Sequence, residues 1–144
     1  MPRQLNIFIE NRPGRLKSVT EILSQGNINI IAFTIQDRGD FGVMKLLVDK
    51  PDVAHLALAD KGFACVLKDI LVVSIQDKPG NLNKLASLLL KHNINIIDTH
   101  GFVIEPGNRG ICCIESAGAE NANITKILEK EGFEVLGDKE ISEL

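Results

Sequence analysis

Apolar and polar side chains alternate at the start of the chain: Leu5, Ile7 and Ile9 share one face of residues 4–10, the period of a half-buried strand. Pro13-Gly14 breaks that pattern. Leu16, Val19, Thr20 and Leu23 then recur at i, i+3, i+4 and i+7, which predicts a helix turning this stripe inward. Pro13 is expected in its first turn and Gly26 at its end. A β-branched run over 28–36, a turn at Arg38-Gly39-Asp40 and an apolar run over 42–48 predict a second and a third strand. Pro51 opens a second helix that runs to about Lys61; Gly62 closes it, and 63–67 is a short last strand. The same succession follows, with strands over 71–76, 95–104, 110–116 and 133–136 and helices over 81–92 and 120–131. In the second copy the inward stripe is Leu82, Leu85, Ala86 and Leu89, and His92-Asn93 replaces Gly26 as the stop.

The succession is a duplication. Asn27-Ile28-Asn29-Ile30-Ile31 recurs as Asn93-Ile94-Asn95-Ile96-Ile97, an offset of 66 residues, and Pro13-Gly14 recurs as Pro79-Gly80 in the same register. Lys61-Gly62-Phe63 is matched by Glu131-Gly132-Phe133, an offset of 70, so four positions are gained in the turns between. Each copy runs β-α-β-β-α-β, the ferredoxin-like order with both helices on one face of an antiparallel sheet. The predicted fold is therefore α+β, two tandem βαββαβ domains at residues 1–68 and 69–144. A unit of that size is marginal alone, so pairing of copies and of chains is expected.

Composition removes several function classes. With 44% hydrophobic and 24% charged residues and a formal net charge of −3, the chain lacks the basic excess that nucleic-acid binding demands. Aromatic residues make up 4%, all of them Phe, too few for stacking on single strands. No apolar run approaches a membrane span, and Met1-Pro2-Arg3-Gln4-Leu5 does not have the form of a signal peptide. Cys65, Cys112 and Cys113 are odd in number and without CxxC spacing, against a disulfide framework or a zinc site. The expected compartment is the cytoplasm, and no cofactor is implied. Cys112, aligned with Met44, is expected in the core, and Cys113, aligned with Lys45, on the other face. Phe8, Phe33 and Ile35 are expected on the face away from the helices, where they need cover from a homodimer or higher oligomer.

The string Ile9-Glu10-Asn11-Arg12-Pro13-Gly14-Arg15-Leu16 followed by Gln25-Gly26-Asn27-Ile28-Asn29-Ile30 resembles the ACT domain. So does Gln76-Asp77-Lys78-Pro79-Gly80-Asn81-Leu82 with His92-Asn93-Ile94-Asn95-Ile96, and the resemblance covers nearly the whole chain. It implies a regulatory module whose paired domains hold a small effector, most often an amino acid, at their seam. The loop after the first strand of one domain then faces the loop before the second strand of its neighbour. Carried over, the first loop is Asn11, Arg12, Pro13, Gly14 and Leu16, or Asp77, Lys78, Pro79, Gly80 and Leu82; the second loop supplies Asn29 or Asn95. Members under feedback by amino acids often carry a polar residue two positions before the Asx. Ile9 and Ile75 stand there instead, so the effector's side chain is expected to meet an apolar wall.

The same residues suit an amino acid on physical grounds. Amides at a helix start take a carboxylate, Gly14 and Gly80 let a ligand near the backbone, and Asn11 or Asp77 accepts from an ammonium. Asp77 brings a charge that Asn11 does not, which makes the two loops unequal. Asn27 and Asn93 read as helix-stop residues, and the Pro-Gly loops also fit plain strand-to-helix turns. His55, His92 and His100 share no spacing, and no phosphate loop, nucleophile elbow or acid–base pair stands out, so catalysis is not expected. Three functions follow: an amino-acid sensor acting on a partner, a ligand-free module that pairs with an enzyme subunit, and, least supported, an enzyme.

Overall fold

A computed structural model describes residues 1–117 and 123–144. The first repeat contains β1 (Arg3–Glu10), α1 (Arg15–Gln25), β2 (Ile30–Asp37), β3 (Phe41–Val48), α2 (Pro51–Asp60) and β4 (Ala64–Asp69). The second contains β5 (Leu71–Gln76), α3 (Asn81–Lys91), β6 (Asn95–Glu105), β7 (Arg109–Ala117), α4 (Asn123–Lys130) and β8 (Glu134–Val135). A short α5 (Asp138–Ser142) follows, which hydrophobic periodicity does not announce. The predicted helix over 120–131 begins in residues outside those described. Two four-stranded sheets result, in the orders β2-β3-β1-β4 and β6-β7-β5-β8. This is the α+β, twofold βαββαβ architecture expected of a tandem ferredoxin-like chain.

Two compact units break between Lys68 and Asp69, and the termini are exchanged: Asp138–Leu144 counts with Arg3–Lys68, and Met1–Pro2 with Asp69–Gly137. Each unit has its own core. In the first, Leu5, Ile7 and Ile9 of β1 and Met44, Leu46 and Val48 of β3 pack against Val19 and Leu23 of α1 and Ala54 and Leu58 of α2. In the second, Leu71 and Val73, Cys112 and Ile114 meet Leu85 and Leu89 of α3 and Ile124 and Leu128 of α4.

Three local expectations are corrected. The inward stripe of each first helix is shorter than its period suggests: Leu16 is 41% and Leu82 61% exposed, Ala86 is exposed, and only Val19 and Leu23, or Leu85 and Leu89, are buried. Pro13 and Pro79 precede the helix caps Gly14 and Gly80 and so lie outside the first turn; Pro51 does occupy the first turn of α2. Gly26 caps α1 with an ordinary φ of −83°, and the left-handed reversal falls on Asn27 (φ 51°), as on Asn93 (φ 55°) in the second copy. Ile28 N–H donates to Leu23 O and Asn27 N–H to Ser24 O, with Ile94 to Leu89 and Asn93 to Leu90 in parallel, so both helices end in Schellman motifs.

The third correction concerns β2. Ile30 lies opposite Val48, but a bulge before Ala32 inserts one residue and reverses which face each later side chain takes. Phe33 and Ile35 therefore pair with Leu46 and Met44 and lie on the helix side of the sheet, while Phe8 keeps the other face. All three are exposed: 58% for Phe8 and Phe33, 47% for Ile35.

Candidate functional site

Gly14 and Gly80 cap α1 and α3 with φ of 90° and 91°, a left-handed conformation that other residues adopt only under strain. A Cβ added at either position would meet nothing within 4 Å, so the space beside each glycine is open. No side chain caps either helix. The first bonds returning to the caps are Ser18 N–H to Gly14 O and Lys84 N–H to Gly80 O, both 3.0 Å. The amides ahead of them, those of Leu16 and Lys17 or Leu82 and Asn83, belong to the turn that has no acceptor within a helix. Each repeat thus presents an open, electropositive backbone cradle.

The Asx of each loop is tied to the facing hairpin. Asn11 Nδ2 donates to Asp37 Oδ1 and Gly39 O, both at 3.0 Å, and Asn11 N–H donates to Asp40 O. In the second copy the polarity is reversed: Gly107 N–H donates to Asp77 Oδ2 at 2.7 Å, and Asp77 N–H donates to Asn108 O. Either way one end of the side chain pins the turn between the second and third strands. Arg12 Nε reaches Glu10 Oε2 at 3.1 Å, and Arg12, Pro13, Lys78 and Pro79 are exposed. Leu16 and Leu82 follow the caps by two residues and are left out of each core.

Asn29 and Asn95 are exposed at the other end of each sheet. The first and second strands of a repeat both run antiparallel to the third and so point the same way. Asn11 follows the end of β1, whereas Asn29 precedes the start of β2; Asp77 and Asn95 stand in the same relation. Within either unit the two predicted loops are not brought together. Asn29 lines a concavity of about 470 Å³ with Asn27, Asp49 and Lys50, where its N–H donates to Asp49 Oδ1 and Lys50 Nζ donates to Asn27 O. Asn95 instead pairs with Ala117 in the β6–β7 ladder.

Ile9 is spent on the core at 6% exposure, while Ile75 lines a cleft of about 380 Å³ beside the second loop. Lys84, Asn108, Arg109 and Phe133 line it too, a grouping missed from the sequence because its members lie on four separate segments. The thiols offer little nucleophilic chemistry. Burial pushes Cys65 and Cys112 up, and Cys113 up to about 12 with Cys112 adding to the effect. Cys112 belongs to the core cluster, and Cys113, opposite Val72, lies buried on the other face. Among the described residues no three His, Cys, Asp or Glu side chains are placed to hold a metal ion. No described helix is long and apolar enough to cross a membrane.

Comparison with known proteins agrees with this geometry. Residues 1–144 match the family described as the ACT domain pair. A crystal structure of a protein from Bacteroides thetaiotaomicron is similar with a TM-score of 0.89 and 31% identity, over 99% of this chain and 96% of that one. The ligand-free regulatory subunit of aspartate kinase from Thermus thermophilus shares the fold at a TM-score of 0.68 and 22% identity, over 92% and 93% of the two chains. The Thermus flavus regulatory subunit does so at 0.55 and 19%, over 78% and 82%. No functionally curated protein matches the chain.

Proposed function

This chain belongs to the ACT domain pair family, and on that premise we propose that it is a non-catalytic regulatory protein that binds a free amino acid. The observation that carries the reading is the twice-built loop: an Asx tied to the facing hairpin, then a left-handed glycine with open space where its Cβ would be, at the start of a helix that no side chain caps. The amides take the effector carboxylate, and the remaining oxygen of Asn11 or Asp77 takes its ammonium. A neighbouring domain supplies Asn29 or Asn95, because neither unit joins its own two loops. Binding acts on a partner by favouring one arrangement of domains or subunits over another.

An effector of about ten heavy atoms at about −0.5 kcal/mol per atom binds with roughly −5 kcal/mol. That is a dissociation constant of a few hundred micromolar, suited to reading a metabolite pool in the cytoplasm. Thermal unfolding with each of the twenty amino acids in turn tests the proposal. A ligand at a hundred times its dissociation constant stabilises by about 2.7 kcal/mol, an upward shift of roughly 5–15 °C for a chain of this length. A flat panel at millimolar concentrations would sink the sensor reading. It would leave the ligand-free module that pairs with an enzyme subunit, a reading favoured by the exposed Phe8, Phe33, Ile35 and Phe41.

The same exposed residues support self-association, since β2 is an edge strand bearing Phe33 and Ile35. Light scattering coupled to size exclusion is expected to give at least a dimer at tens of micromolar; a clean monomer refutes this.

A further inference from the structure

Resting on the effector reading above, we infer that loop 11–14 is specific for an amino acid with an acidic side chain, whose second carboxylate is taken by Arg15. The two Pro-Gly loops are built alike up to the capping glycine and diverge at the next residue, Arg15 in the first copy and Asn81 in the second. Each is the first residue of its helix, where the Cα–Cβ bond tilts toward the helix start and leads the side chain back over the preceding loop. The second copy shows that reach: Asn81 Nδ2 donates to Gln76 O at 3.0 Å, five residues back at the end of β5. Asn81 thereby braces its loop from within. Arg15 makes no such bond, and loop 11–14 holds its shape without it, through Arg12 N–H to Glu10 O and the ties from Asn11 to the facing hairpin.

Among the described residues Arg15 forms no hydrogen bond and no ion pair, with Asp37 and Asp40 of the facing hairpin or with any other group. The residue is half-buried, and its Nε is closed to solvent without an acceptor. An arginine that serves only solubility keeps its head group in water, and one that serves structure is bonded; Arg15 is neither. The charges around it are already committed. Arg12 Nε is held by Glu10 at 3.1 Å, and Asp37 Oδ1 accepts from Asn11 Nδ2 and from Gly39 N–H. Ile9, where an apolar wall for the effector's side chain was expected, is 6% exposed and lies in the core. In this copy the effector's side chain therefore meets a guanidinium. Its planar fork offers a carboxylate two parallel charge-assisted donors, an advantage that the uncharged amide of the same shape does not share.

Heteronuclear NMR on the full chain, titrated separately with aspartate, asparagine, glutamate and glutamine, tests the assignment through the amides of Gly14 and Gly80. At Gly14 one of the two acids is expected to bind roughly tenfold tighter than its own amide, and at Gly80 no such preference is expected. Arg15→Asn, which imports the residue of the second copy, is expected to level acid and amide at Gly14. Arg15→Lys is expected to keep part of the preference, because the charge remains without the fork. A preference that survives Arg15→Asn, or one equally strong at Gly80, overturns the role of Arg15. Acid and amide bound alike at Gly14 by the unaltered protein overturn the specificity and leave the sensor reading intact. So does binding of other amino acids there while both acids fail. A thermal panel flat to all twenty amino acids overturns both.

Discussion

Leu23→Ala is expected to destabilise the protein by about 2–5 kcal/mol, whereas Leu16→Ala, two turns earlier on the same helical stripe, costs less than about 1 kcal/mol. Leu23 is 1% exposed and packs among Ile7, Leu46 and Leu58, where no neighbour can move in to fill the space an alanine leaves. Leu16 is 41% exposed and loses only part of an already partial burial. The second repeat gives the same contrast, Leu89 at 2% against Leu82 at 61%. Chemical denaturation followed by far-ultraviolet circular dichroism measures all four variants. Equal losses within either pair would mean that the whole stripe is buried and that the motif leucine belongs to the core rather than to the open loop. The contrast matters for function, because only an apolar side chain left out of the core next to the helix cap is accessible to an effector at the loop.

These leucines also mark how far the sequence could be read. The repeat, the element order and the two Pro-Gly loops follow from identity at fixed offsets and from period, both local properties of the chain. Periodicity names a helix face but not where the helix runs past the edge of the layer beneath it, so by period alone Leu16 and Leu82 face inward. The bulge between Ile30 and Ala32 changes no residue type and leaves no mark on the alternation, yet it carries Phe33 and Ile35 to the helix side. Asp138–Ser142 is too short for any helical period to show. The bonds from Asn11 to the β2–β3 turn and from Asp77 to the β6–β7 turn span 26 to 30 residues and depend on closure of each sheet. Lys84 and Arg109 lie 25 residues apart and line one cleft, whereas the motif residues of each loop lie side by side in sequence. Contiguous features were legible, and those assembled by tertiary contact were not.

Replacing Gly14 and Gly80 together by Val is expected to abolish amino-acid binding at the Pro-Gly loops while the chain still folds. At φ near 90° each substitution forces a β-branched residue into the left-handed region at a cost of about 1–2 kcal/mol, a strain that comes from the backbone alone since the space around both glycines is empty. The new side chain also adds bulk to the open space beside the loop and stiffens its backbone, so the loop no longer offers an approaching carboxylate the unobstructed turn that glycine leaves. Loss of that one charge-assisted contact lowers affinity by about tenfold or more, and exclusion of the ligand from the cradle lowers it further. Gly62→Val provides the matched control: its φ is 85° and its surroundings are equally open, but it follows α2 and has no helix start to guard. Thermal unfolding should show comparable losses of intrinsic stability for Gly62→Val and for either loop variant alone. Only the loop variants should lose the upward shift that the effector produces. If Gly62→Val removes the shift as well, strain alone accounts for the loss; if Gly14→Val and Gly80→Val both keep it, the effector is held elsewhere and the open caps are plain strand-to-helix turns.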